Sequence, residues 1–228
     1  MIPYKDDNPT QTFPFVTIGL IVINCLVFIW ELTSPISERE IAYFYGAIPY
    51  NLISFDTSQP MHPVITVFTS MFLHGGFLHL AGNMLYLWIF GNNIEDSIGH
   101  FRFILFYLFS GIVAAYTHAI TEPYSTIPMI GASGAVSGVL GAYLLLFPHA
   151  RVYTILFFGF FWQIVRIPAI IVIGFWILIQ IINGILSKGM LNHGGVAWFA
   201  HIGGFMAGIL TIKFYLPKKR YRRSYLKF

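Results

Sequence analysis

Charged residues in this chain stand so far apart that they enclose long apolar windows, and nothing constrains its fold more. Charge-free stretches run from Asp7 to Glu31, Asp56 to Glu95, Arg102 to Glu122, Glu122 to Arg151, Arg166 to Lys188, and Lys188 to Lys213. A spanning helix takes about 20 mostly apolar residues, since about 30 Å of hydrocarbon is crossed at about 1.5 Å per residue. Each window accommodates one such helix. The expected spans lie near Phe13–Trp30, near Phe77–Ile94, between Arg102 and Glu122, from about Ile130, between Arg166 and Lys188, and near Ala197–Leu216. The expected fold class is therefore all-α, a polytopic membrane protein of six transmembrane helices forming one domain over residues 1–228. Composition agrees: 57% of residues are hydrophobic and 10% charged, where a soluble domain carries about 25% charge.

Six spans put both termini on one side, and basic residues choose which. With a cytoplasmic N-terminus, Lys5, Arg102, Arg151, Arg166, Lys213 and the tail from Lys218 to Lys227 all fall inside, leaving only Arg39 and Lys188 outside. That is the asymmetry expected of an inserted membrane protein. Residues 1–12 and 217–228 then read as cytoplasmic tails, the second suited to anionic lipid and not to nucleic acid. The first dozen residues are polar and the apolar stretch behind them exceeds a signal-peptide core, so no cleavable signal is expected. Cys25 is the sole cysteine and has no intrachain disulfide partner. The outer loop from Thr33 to about Phe77, with Pro35, Pro49, Pro60 and Pro63, is expected to fold against the membrane surface.

Polar side chains inside spans are costly and mark function by default. The spans nominate His79, Asn83, Ser133, Ser137 and His201, with Asn24 and His118. Spans two, four and six run in one direction, and His79, Asn83, Ser133 and His201 all fall in their first turns. These four therefore share one shallow depth beneath the outer surface. His79 and Asn83 are four apart and share a helix face. Gly134/Gly138 and Gly204/Gly208 are small-xxx-small patterns that let helix backbones approach closely in lipid. If those faces meet, Ser133 and His201 come within reach of each other. Asn24 and Glu31 read as locally bonded or interfacial, His118 as a wetted interface residue, and Glu95 as a partner for Arg102.

At these residues the sequence resembles the rhomboid intramembrane serine proteases. The likeness rests on His74-Gly75-Gly76-Phe77-Leu78-His79-Leu80-Ala81-Gly82-Asn83, then Gly131-Ala132-Ser133-Gly134, then Ala200-His201-Ile202-Gly203-Gly204, in that order. The resemblance implies a six-helix rhomboid-like bundle with a water-accessible cavity facing outside. It implies Ser133 as nucleophile and His201 as general base. It assigns the oxyanion hole and its support to His79, Asn83 and the backbone around Ser133, at Gly131 and Ala132. Substrates would be membrane-spanning proteins cut near the outer end of their helix. Family members often place an aromatic residue four positions after the nucleophile to pack on the histidine. This chain has Ser137 there, so that task falls to Ser137 or to a neighbour on span five or six. Some members also carry a Trp-Arg pair in the first outer loop, where Arg39 stands here without a nearby Trp.

Residue chemistry supports the same roles. A serine hydroxyl needs a base to take its proton, and histidine suits that task near neutral pH. No carboxylate falls inside a span as a third member, so a dyad is expected. A zinc mechanism would need an H-E-x-x-H motif and an aspartyl one an intramembrane Asp pair, and the sequence has neither. No cofactor or metal is called for; His74, His79 and His201 lack a carboxylate or cysteine ligand to complete a set. Two other readings are a catalytically idle client-binding relative and a small transporter. The first is expected to have lost Ser133 or His201, and the second predicts inverted halves that the sequence lacks.

Overall fold

A computed structural model describes residues 2–159, 161–187 and 196–217 of the chain. Lys188, His193 and the basic tail from Lys218 fall outside the described residues. The chain opens with a short strand, β1 (Ile2–Asp6), followed by the apolar helix α1 (Phe15–Thr33). Three short helices then fold the outer loop: α2 (Glu38–Tyr45), α3 (Pro49–Ser54) and α4 (Pro63–Thr69). Ser37 and Glu40 cap α2 reciprocally, each side chain bonding the other's backbone N–H. Pro49 and Pro63 each open a helix at a position where no backbone N–H is needed.

After a tight turn at Ser70–Phe72, α5 (Phe77–Tyr86) runs through a wider π-type turn at Leu87–Gly91 into α6 (Asn92–Ile98). Next come α7 (His100–Thr121), α8 (Ser133–Leu146), the strands β2 (Arg151–Phe158) and β3 (Phe161–Pro168), then α9 (Ala169–Ser187) and α10 (Trp198–Tyr215). Helices α1, α7 and α9 are long and apolar enough to cross a membrane. The segment Pro63–Ile98, bent by 84° at its break, counts as a fourth if taken as one span. The core lies where α5–α6, α7, α8 and α10 meet, around Phe90, Phe103, Phe106, Tyr107, Leu140 and Tyr143.

One feature departs from the all-α expectation. β1, β2 and β3 form an antiparallel sheet in that order, with Ile2 opposite Ile155 and Arg151 opposite Pro168. Residues 151–168 are apolar on both faces, which hides the two-residue alternation of a strand. The partner strand β1 lies about 150 residues away in sequence, so no local pattern announces it.

Two smaller expectations also give way. Glu95 does not pair with Arg102; it accepts from Val16 N–H, Thr17 N–H and Thr17 Oγ1, and meets His100 Nδ1. Arg102 instead donates to the Tyr215 carbonyl. Glu31 neither bonds locally nor faces the interface. Both its oxygens accept from the His74 N–H, at 3.1 and 3.2 Å. Asn24 does bond locally, to the carbonyl of Leu20.

Candidate active site

Helices α8 and α10 touch backbone to backbone along their glycine faces. A Cβ built on Gly204 would land on the carbonyl oxygen of Gly134, and one on Gly208 on that of Gly138. Such proximity is open only to glycine, and it brings the first turns of the two helices together. Ser133 Oγ lies 2.8 Å from His201 Nε2. The serine begins α8, in a turn whose first N–H groups have no intrahelical acceptor, and the histidine sits three residues inside α10, its N–H donating to the Ala197 carbonyl at 3.3 Å.

His201 is held on its far side as well. Its Nδ1 lies 2.8 Å from Oε1 of Gln180, a buried side chain of α9. Trp176, one turn earlier on α9, lies tilted beside the imidazole at a centroid distance of 5.9 Å, and Trp198 meets it edge-on at 6.2 Å. Ser137 does not reach the ring: its hydroxyl donates to the carbonyl of Ser133 on its own helix. The neighbours that contact His201 thus come from α9 and from α10 itself. Sequence reasoning passed over Gln180, although the criterion that nominated His79 and Asn83, a polar side chain within a span, applies to it equally.

His79 and Asn83 on α5 face the same space. Gly131 adopts φ +126°, and a Cβ there would come within 2.7 Å of His79 Nε2, so only glycine admits the imidazole so close to Ser133. The Gly131 N–H already donates to the Ser70 carbonyl at 2.8 Å. Its contribution is therefore room for His79 and not a free donor. Gly75 N–H approaches His79 Nδ1 at 3.4 Å, which leaves Nε2 as the nitrogen directed at Gly131. Asn83 is buried, and its Nδ2 has no hydrogen-bond partner among the described residues. Ala132, fully buried, accepts from Val136 N–H and starts the helix.

Behind His79 stands His74, edge-on at 5.1 Å, fixed by the Glu31 contact and by Nδ1 facing the Phe72 carbonyl. A cavity of about 820 Å³ joins Ser133, His201, His79, Asn83, Gly131 and Trp176. His118 is half-buried on α7, and its Nδ1 has no hydrogen-bond partner among the described residues. Among the described residues no three His, Cys, Asp or Glu side chains converge as metal ligands would.

These features define a helical membrane protein with a serine–histidine pair opening on a cavity among its helices. Residues 62–218 match the Rhomboid domain family model. The chain is 32% identical over 167 residues to Rhomboid protein 1, mitochondrial, of Saccharomyces cerevisiae, covering 70% of this chain and 45% of that one. It is 30% identical over 208 residues to Rhomboid protease GluP of Bacillus subtilis, covering 91% and 35%. It is 29% identical over 203 residues to the human Presenilin-associated rhomboid-like protein, mitochondrial, covering 86% and 47%. The chain belongs to the rhomboid family. It spans between a third and a half of the length of these curated relatives.

Proposed function

We propose that this protein is an intramembrane serine endopeptidase that cuts membrane-spanning proteins with a Ser133–His201 dyad. The observation that carries the reading is the 2.8 Å approach of Ser133 Oγ to His201 Nε2 on the wall of a cavity. Nε2 takes the hydroxyl proton as Oγ attacks the scissile carbonyl. The imidazolium then gives that proton to the departing amine, leaving an acyl group on Ser133. A water molecule, deprotonated by the same nitrogen, hydrolyses the ester and frees the serine.

The developing oxyanion would draw on donors that line the same cavity. Asn83 Nδ2 is a buried donor with no partner among the described residues, and His79 Nε2 points at Gly131 beside the nucleophile. The N-terminal turn of α8 adds backbone N–H groups and the positive end of its dipole. Donors preorganised in this way are commonly worth about 10²–10³ in rate each.

In this reading the six long helical segments are six spans of one domain over residues 1–228. Both termini are cytoplasmic and the cavity opens to the extracytoplasmic side. Helix α8 has 14 residues, so it is about 21 Å long, less than the hydrocarbon thickness. With its C-terminal end at the inner surface, Ser133 lies inside the membrane below its outer face, which is why a water-filled cavity is needed there. Partners are membrane-spanning substrates and the bilayer, with no cofactor and no nucleic acid.

The test is labelling of the detergent-solubilised protein by a fluorophosphonate probe, with the modified peptide identified by mass spectrometry. Label on Ser133, lost in Ser133→Ala and His201→Ala, is the expected result. A folded protein that takes no label on Ser133 contradicts the assignment.

A further inference from the structure

We infer that Gln180 is a positioning residue for His201, making the site a Ser–His–Gln relay in which a neutral amide replaces the carboxylate of a triad. The inference rests on the roles assigned above to Ser133 and His201. It follows from three bonds in series. Gln180 Nε2 donates to the carbonyl of Trp176, one turn back on α9, at 3.0 Å. A carbonyl can only accept, so this bond decides which end of the amide is which and turns Oε1 toward the imidazole. Oε1 in turn can only accept, so the His201 Nδ1 facing it at 2.8 Å carries the ring proton. The remaining nitrogen, Nε2, then presents its lone pair to the Ser133 hydroxyl at 2.8 Å. The chain of donors and acceptors has one consistent direction, and it leaves His201 in the tautomer a general base needs.

Burial gives the arrangement its force. Gln180 is 5% exposed and His201 8% exposed, so water does not readily replace the amide oxygen. Trp176 closes the ring face and, through its carbonyl, also anchors the glutamine. Ser137, at the position where family members often place an aromatic residue, bonds its own helix. Orientation of the base has therefore moved from α8 to α9. A glutamine suits this setting because a buried carboxylate in a membrane helix carries a desolvation cost that a neutral amide avoids.

The test compares Gln180→Leu, which keeps the volume and loses the acceptor, with Gln180→Glu, which keeps an acceptor oxygen. The full chain in detergent is followed by fluorophosphonate labelling rate across pH, by cleavage kinetics, and by the downfield Nδ1–H proton resonance of His201. Gln180→Leu is expected to slow labelling about tenfold to a hundredfold, a share of what general-base catalysis supplies. KM should hold while kcat falls, and the Nδ1–H resonance should be lost. Gln180→Glu should recover much of the rate and move the acid limb of the pH profile upward, because a carboxylate favours the imidazolium. A folded Gln180→Leu protein with the wild-type rate and an intact resonance overturns the inference. So do equal losses in both variants with an unchanged pH profile, which mark packing alone. Wild-type protein that shows the resonance but takes no label would sink the protease reading and leave the positioning intact.

Discussion

The carboxylate of Glu95 on α6 closes the first turn of α1, taking the Thr17 N–H at 2.8 Å and the Thr17 hydroxyl at 2.7 Å with one oxygen. The other oxygen accepts from Val16 N–H at 2.9 Å. Pro14, the residue before the helix, offers no side-chain cap, so Glu95 supplies from a distance what a local Ser or Asp supplies elsewhere. The negative charge also lies at the positive end of the α1 dipole. Glu95→Ala should destabilise the protein by about 2–4 kcal/mol, since it strands buried donors. Glu95→Gln, which keeps acceptor oxygen, should cost less. Thermal unfolding in detergent checks both.

Contact between α8 and α10 makes a second prediction. Gly204→Ala must push the helices apart, because its Cβ meets the Gly134 carbonyl. Overpacking of this kind costs about 1–3 kcal/mol, and a displacement of about 1 Å at the reacting atoms costs about a hundredfold in rate. Activity should therefore fall well beyond the loss of folded protein. Gly19→Ala is the contrast: nothing lies within 4 Å of its Cβ, so stability should hold or rise by up to about 1 kcal/mol with activity unchanged.

The oxyanion role proposed for Asn83 and His79 should show itself in kinetics. Asn83→Ala and His79→Ala are each expected to lower kcat by about a hundredfold to a thousandfold. KM should change little, because the bonds strengthen only in the transition state. A rise in KM alone would assign these residues to substrate binding.

At the sheet, Tyr143 donates a 2.6 Å hydrogen bond to Asp6, and burial raises the Asp6 carboxyl above its ordinary value of 3.8, partly offset by that bond. The folded state thus holds the proton more firmly than the unfolded chain does. The corresponding stability is full below pH 3.8 and is lost as pH rises through the folded-state value. Asp6→Asn removes this loss and keeps an acceptor for Tyr143. Its Tm should exceed wild type at pH 7 and should lack the downward slope above the ordinary carboxyl value of 3.8, as read by thermal unfolding across pH.

That Ser133, His201, His79 and Asn83 would converge on one cavity was legible because membrane depth converts sequence position into height. The glycines of α8 and α10 then said which helices could approach. Gln180 was overlooked in the run Ala169–Ser187 because a single amide among apolar residues has several uses, and only its distance to His201 selects one. The sheet was hidden for another reason: eight helices separate β1 from its partner strand along the chain. Glu95 was noticed, but its nearest basic residue in sequence drew it to Arg102. The helix end it caps lies 78 residues away, a relation that exists only in three dimensions.

The central claim is that the hydroxyl on α8 and the imidazole on α10 cut a substrate within the bilayer. Its most direct test co-reconstitutes the purified protein in liposomes with a single-span reporter protein and maps any cut by mass spectrometry. The account predicts one cut near the extracytoplasmic end of the reporter helix, abolished in Ser133→Ala and in His201→Ala, with both variants still folded. Cleavage that persists in folded Ser133→Ala, or that falls only in soluble portions of the reporter, contradicts it.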